Sequence, residues 1–337
     1  MYKGRHTSVA YKALGCSASQ HASHIEPIHN SIFALVESFY DRTCPGGVAA
    51  VRNVVQNTVR KDRRFAAGLL RLHFHDCWIR GCDGSVLLNS NPRGSAEKDA
   101  QPNLTLQGFA VIDQAKAALE RTCPGVFSCA DILALAARDA VSFIGGPRWR
   151  VPLGRRDGTV SRASEANAQL PGTSMGFRAL ASNFAAKGFN ENDLVILSGA
   201  HTIGLTHCNA ITPRLYNFPG SRDGADPYLN KTFVSEKRRV CPNTRAAANN
   251  FVNLDSSRGG QTFDKNYYEN VLNHKATFRS DDALISVTRG LNLVRSIFTS
   301  PQSQFFSQFG TAMEKMGRIG VLTGRNGQIR RTCSRTN

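Results

Sequence analysis

The chain of 337 residues contains no Cys-x-x-Cys pair, no Cys-x-x-Cys-His and no apolar run near the roughly 20 residues needed to cross a bilayer. A zinc ribbon, thioether attachment of a prosthetic group and a membrane-spanning helix are thereby disfavoured. No Lys/Arg-rich run occurs either, although 42 Lys+Arg stand against 25 Asp+Glu for a formal net charge of +17. The basic residues are dispersed as pairs such as Arg63-Arg64, Arg155-Arg156, Arg238-Arg239 and Arg330-Arg331. That dispersal argues against a nucleic-acid module and for a solvated basic surface, for which an acidic polysaccharide is one partner class. Internal repeats and linkers are missing as well, so residues 38–333 read as one domain and 334–337 as a tail.

Composition is silent on oligomeric state, and a monomer is the expectation. Positions 1–37 offer only Ser31–Val36 as an apolar run, without a basic stretch before it, so no signal peptide is legible and this segment reads as an extension outside the fold.

The nine cysteines are Cys16, Cys44, Cys77, Cys82, Cys123, Cys129, Cys208, Cys241 and Cys333. Eight of them spread between positions 44 and 333, which reads as a disulfide framework built in an oxidising compartment, with Cys16 left over. Eight cysteines permit about a hundred pairings, and spacing favours only Cys77 with Cys82, across a tight loop.

From residue 45 onward the apolar residues follow a helical period broken by Pro-Gly and Gly-Gly pairs, so the fold is mainly α. Helices are predicted over 48–60, 65–77, 108–122, 128–144, 174–187, 192–204, 231–240, 264–273, 291–299 and 301–316. Only 149–152 and 327–330 look extended.

Three clusters carry chemistry. In Arg71-Leu-His73-Phe-His75-Asp76-Cys77, residues 71 and 75 share a helical face while His73 lies about 200° from His75, so Arg71 and His75 can converge on one ligand. The bland alternative is a hydrogen-bonded core histidine beside a surface arginine. In Leu194-Val-Ile-Leu197-Ser-Gly-Ala-His201-Thr202, His201 falls on the stripe of Leu194 and Leu197, and Gly199 and Ala200 leave room for a flat cofactor beside it. It too could be a core residue. Asp76, Asp83 and Ser85, with Gly81 between them, offer hard oxygen ligands that suit calcium, or else an Asx-turn network that shapes the loop. His73-Phe-His75-Asp76 also resembles the HxHD cluster of a dinuclear metallohydrolase, which the opposed faces of the two histidines argue against.

Taken with Phe39-Tyr40-Asp-Arg-Thr-Cys44-Pro45, Glu97-Lys98-Asp99 to Asn103 and Phe263-Asp264-Lys-Asn-Tyr267-Tyr268, these stretches resemble, in order, the secretory plant haem peroxidases of class III. The resemblance runs to Cys333. It implies a single domain of about ten helices in two lobes with haem b between them, and oxidation of phenolic or other small aromatic donors by hydrogen peroxide. It implies Arg71, His75 and Asn103 as the catalytic distal residues, Phe74 beside the haem, His201 as axial iron ligand, Asp281 as its hydrogen-bond acceptor and Pro171 as a donor contact. It implies the pairs Cys44–Cys123, Cys77–Cys82, Cys129–Cys333 and Cys208–Cys241. Two calcium sites follow: a distal one from Asp76, Asp83, Ser85, the carbonyls of Ile79 and Gly81, and Glu97 through a water; and a proximal one. Secretion to the cell wall or vacuole is implied too.

The chain departs from the family's pattern at several points. The Thr-Pro pair usual after the aspartate matching Asp255 is missing from Asp255-Ser-Ser-Arg-Gly-Gly-Gln-Thr262-Phe-Asp264, which leaves Thr202, Asp255, Ser257, Thr262 and Asp264 as the proximal calcium candidates. Gln101, Ser174 and Ala210 stand where some relatives carry access-channel phenylalanines, and Trp78 where phenylalanine is common. Asn230-Lys-Thr232 fits a glycosylation sequon, as does Asn103-Leu-Thr105, which is expected to be buried. A silent relative kept as a basic wall-binding module is the third reading of the chain.

Overall fold

The computed structural model describes residues 35–92, 94–255 and 257–337, without the side chains of Ser257 and Arg258. Thirteen α-helices occur among them. The first four are α1 (Gly47–Lys61), α2 (Phe65–Ile79), α3 (Phe109–Thr122) and α4 (Cys129–Phe143), followed by α5 (Ala163–Gln169), α6 (Phe177–Ala185) and α7 (Glu191–Ser198). Then come α8 (Thr212–Leu215), α9 (Lys231–Val240), α10 (Asn266–Leu272), α11 (Arg279–Asp282), α12 (Thr288–Thr299) and α13 (Gln302–Met316). The two regular strands, β1 (Leu205–His207) and β2 (Phe251–Asn253), pair antiparallel with Leu205 opposite Asn253.

Packing follows the apolar pattern. In α1, Val51, Val55 and Val59 recur every four residues and are fully buried, the spacing that puts one face of a helix against a core. Their side of α1 meets α4, which also packs on α2 and α3. Ser128 caps α4 by accepting from the Asp131 backbone N–H at 3.1 Å. A second set joins α7 to α6, α12 and α13, and α10 to α12. A smaller apolar cluster gathers Ile211, Leu215 and Phe233 around the Cys208–Cys241 disulfide.

The start of α4 is fixed by buried charge. Asp131 accepts from Arg155 Nη1 at 2.8 Å, from Tyr40 Oη at 2.7 Å and from the Gly154 N–H at 2.7 Å. Both Asp131 and Arg155 are almost wholly buried, so each requires the other. The remaining disulfides, Cys44–Cys123, Cys77–Cys82 and Cys129–Cys333, complete the four pairs that the resemblance implies.

Several local expectations shift. The helix expected over 192–204 stops at Ser198 and tightens into a 3-10 turn over Gly199–Thr202. Its cap is Asn190, reciprocated by Asp193. A Cβ at Gly199 would lie 2.5 Å from Tyr268 Oη, so the small residue lets α10 pack against this turn. Residues 149–152 form no strand, whereas Gln328 does bridge Asp157. Residues 1–34 of the expected N-terminal extension lie outside the described residues, but Val36 exchanges both backbone hydrogen bonds with Leu153. The C-terminal residues are tied down as well, with Asn337 Nδ2 donating to the Ile329 carbonyl. Asn230 is the N-cap of α9, its Oδ1 accepting from the N–H groups of Thr232 and Phe233.

Candidate functional site

Helix α2 carries Arg71 and His75 on one face and His73 on another, as the helical period requires. His75 is 6% exposed, and its Nδ1 lies 2.5 Å from Asn103 Oδ1. Asn103 Nδ2 donates to the Glu97 carbonyl at 2.7 Å, which fixes the amide so that its oxygen faces the imidazole. That oxygen can only accept, so Nδ1 holds the proton and Nε2 is left as the basic nitrogen. Burial, and then the Arg71 charge, push the His75 pKa down to about 3 against a smaller upward pull from the Asn103 bond. The ring is therefore neutral at ordinary pH.

Arg71 is held by the Pro102 carbonyl at 2.7 Å and Thr105 Oγ1 at 3.0 Å. Burial lowers its pKa to about 10, which leaves the guanidinium charged at neutral pH. Its charge also acts on His201, so Arg71 stands within electrostatic reach of both histidines. His73 belongs elsewhere: its Nδ1 lies 3.6 Å from Cys77 Sγ, and burial and the Arg155 charge depress it to about 3. His73, Cys77 and Cys82 cluster closely enough to bind a metal, but the two sulfurs are joined in a disulfide and supply no thiolates.

His201 sits on the 3-10 turn after α7. Its Nδ1 is 2.8 Å from Asp281 Oδ1, and Asp281 is buried on α11. Burial pulls the imidazole pKa down, yet the charge and hydrogen bond of Asp281 outweigh it and leave the pKa raised. The ring itself is 39% exposed and meets Phe278 edge-on at 5.3 Å. An imidazole anchored at Nδ1 with part of its ring exposed, within reach of the charge of Arg71, fits a haem iron ligand. Tyr267, to which the sequence pattern assigns no role, donates from Oη to the same Asp281 Oδ1 at 2.9 Å.

Phe74 is half-buried and packs on Trp78 at 4.8 Å between ring centroids. Trp78 fills a pocket with Phe184 and Phe189 and donates from Nε1 to Asn183 Oδ1, which gives the indole a partner that phenylalanine would not need. Pro171 follows α5, a helix packed on α2 and on the 3-10 turn holding Asn103. Two residues on, the Thr173 carbonyl accepts from the Ser280 N–H, so this segment spans from the distal side to the Asp281 turn.

Below His75 lies the oxygen-rich loop. Asp76, Asp83, Ser85 and Glu97 are all buried. Ser85 Oγ and both Glu97 carboxylate oxygens have no hydrogen-bond partner among the described residues. Burial first, then the neighbouring carboxylates, raise Asp76 well above the usual range, and burial raises Asp83 and lifts Glu97 to about 8. Three buried carboxylates without a partnered cation fit a hard divalent ion such as calcium. Gly81 has φ +108°, and a Cβ there would meet the Gly320 backbone at 2.6 Å. Its carbonyl accepts from the Asp83 N–H, and the Ile79 carbonyl lies 3.5 Å from Lys187 Nζ. At the second site, Thr202 Oγ1 donates to Asp264 Oδ1 at 3.1 Å and lies 3.4 Å from Asp255 Oδ2. Thr262 is half-buried, while the Ser257 side chain lies outside the described residues.

A neutral buried histidine beside a charged arginine, together with an imidazole–carboxylate pair elsewhere in the chain, is the residue set of a haem peroxidase. Comparison with known proteins agrees. The family model described as Peroxidase matches residues 51–300. Peroxidase 3 of Arabidopsis thaliana is 48% identical over 302 residues, covering 89% of this chain and 91% of the relative. Peroxidase 1 of the same plant is 47% identical over 298 residues, covering 88% and 90%. Peroxidase 39 is 45% identical over 302 residues, covering 89% and 91%. The chain belongs to the peroxidase family, in the class III group, and is a haem-dependent peroxidase that uses hydrogen peroxide to oxidise small donors. Among the described residues no helix is long and apolar enough to cross a membrane.

Proposed function

We propose that His75 is the acid–base catalyst of peroxide cleavage, that Arg71 stabilises the charge that develops, and that His201 holds the iron of haem b. The observation that carries this reading is the fixed tautomer of His75, whose Nδ1 is committed to Asn103 at 2.5 Å. His75 Nε2 takes the proton from one peroxide oxygen and returns it to the other, which leaves as water. Arg71 offers its guanidinium to the negative charge that builds on the departing oxygen. Haem, when bound, supplies the electrons for that cleavage and passes the oxidising equivalents on to the donor. Asp281 pulls on the His201 N–H and gives the imidazole anionic character. Over a full cycle one peroxide and two donors, each losing one electron and one proton, give two waters and two donor radicals.

The donors are phenolic or other small aromatic molecules, with Phe74 lining the haem side and Pro171 on the approach. Calcium occupies the distal set of Asp76, Asp83, Ser85, Glu97 and the Ile79 and Gly81 carbonyls, supported by the partnerless oxygens of Ser85 and Glu97. A second ion is held by Thr202, Asp255, Thr262 and Asp264, with Ser257 as a further donor. The protein acts as a secreted monomer in the cell wall, where the charge of +17 favours acidic polysaccharide.

Stopped-flow mixing of the haem-loaded enzyme with peroxide alone tests the distal assignment. His75→Leu is expected to slow this step by about 10²–10⁴, the range for losing general acid–base catalysis, while haem stays bound. His73→Leu is expected to leave it nearly unchanged. Equal defects in the two variants, with haem intact, would overturn the assignment.

A further inference from the structure

We infer that Tyr267 is a positioning residue that sets the electron donation of His201 by competing with it for one oxygen of Asp281. The inference rests on the reading of His201 as the iron ligand. His201 Nδ1 and Tyr267 Oη lie 2.8 Å and 2.9 Å from the same atom, Asp281 Oδ1. Tyr267 and Asp281 are each 4% exposed, so water does not dilute either bond. The two rings that share the oxygen stand edge to face, 6.2 Å apart at 73°.

A carboxylate oxygen that accepts one charge-assisted bond is a weaker acceptor for a second, because each donor withdraws electron density from the same lone pairs. The Tyr267 hydroxyl therefore loosens the hold of Asp281 on the His201 proton and moderates the imidazole's anionic character. Burial raises the phenol pKa well above its usual value, so Tyr267 remains a donor throughout the working pH range. Stronger anionic character in an axial imidazole favours the oxidised iron and lowers its reduction potential. Tyr267 thus holds the potential above the value that His201 and Asp281 alone would set.

The adjacent tyrosine supplies the control. Tyr268 is equally buried, but its hydroxyl donates to the Val195 carbonyl at 3.0 Å and makes no bond to Asp281. Losing that hydroxyl costs a buried hydrogen bond without touching the His201 pair.

The test uses the haem-loaded enzyme and two spectroscopic readouts: the iron–histidine stretching band of the ferrous form by resonance Raman, and the ferric/ferrous reduction potential. Tyr267→Phe is expected to raise the stretching frequency and shift the potential to more negative values, with Tyr268→Phe leaving both in place. Site-specific replacement of Tyr267 by 3,5-difluorotyrosine keeps the ring in place and makes a stronger donor, so it is expected to move both readouts the opposite way. This second substitution decides the matter if the phenylalanine variant does not fold. An iron–histidine band in the wild type that neither Tyr267 change moves, or that both move in one direction, overturns the inference. Absence of that band from the wild type would instead overturn the assignment of His201.

Discussion

Removing the calcium proposed for the distal oxygens should cost this protein more stability at high pH than at low pH. Glu97 has an ordinary pKa of 4.5 and is lifted to about 8 by burial and by the carboxylates around it. Between those two values the folded, calcium-free protein holds a proton on Glu97 that the unfolded chain has released. At this group the unfolded state then binds fewer protons, so its contribution to stability decreases with pH, being fully present below about 4.5 and lost on the way to 8. The gap of about 3.5 in pKa corresponds to a ceiling of about 5 kcal/mol at 1.4 kcal/mol per tenfold change. Asp76 and Asp83 are raised too and act in the same direction. A bound divalent cation prefers the ionised carboxylates and cancels the slope. The assay is guanidinium unfolding of the haem-loaded enzyme, with and without a chelator, at pH 5 and pH 8. The midpoint lost on chelation is expected to be larger at pH 8 than at pH 5, a comparison that cancels the opposite contribution of His73 and His75 because both samples share it, and Glu97→Gln to narrow the difference. A midpoint loss on chelation that is no larger at pH 8 than at pH 5 would refute the reasoning.

Other perturbations have equally definite expected outcomes. Arg71→Leu removes the charge that helps depress His75, so the acid limb of the peroxide step should move upward from about 3, checked by stopped-flow rates across pH, and the rate itself should fall by about 10²–10³. Burial alone keeps that limb below the ordinary histidine value. Asp131→Asn leaves Arg155 buried beside a neutral amide and should cost about 3–5 kcal/mol in guanidinium unfolding. On a polygalacturonate column the protein should bind at about 10 mM salt and elute as the Debye length shrinks from about 30 Å to below 10 Å; flow-through at low salt would show that its charge of +17 forms no binding face.

The long amphipathic helices were legible because their period repeats often enough to average out local exceptions. The span of α9, Lys231–Val240, is the one read from the sequence, and the faces of His73 and His75 follow from their separation along α2 alone. Short elements were not legible. The strands at 205–207 and 251–253 hold three residues each, too few for alternation to register, and they pair across a long stretch of chain. Helices α5, α8 and α11 span two turns or fewer. Gly199, where α7 gives way to the 3-10 turn, packs closely on Tyr268, a tertiary contact with no local signal. In the site, Asn103 and Asp281 entered only through the resemblance, since a lone amide or carboxylate far along the chain carries no spacing that ties it to a histidine. Tyr267 was hidden for the same reason, because its link to His201 passes through a third residue.

The peroxidase reading proposed for this chain stands on His201 as its bond to haem iron. Titration of the haem-free protein with ferric haem b, followed by absorption and resonance Raman spectroscopy of His201→Ala beside the wild type, tests it most directly. The wild type is expected to give a strong Soret band and an iron–histidine stretch in the ferrous form. His201→Ala should lose that stretch and the peroxidase activity, with added imidazole restoring part of both. A variant that keeps the stretching band and the activity unchanged would show that another residue ligates the iron.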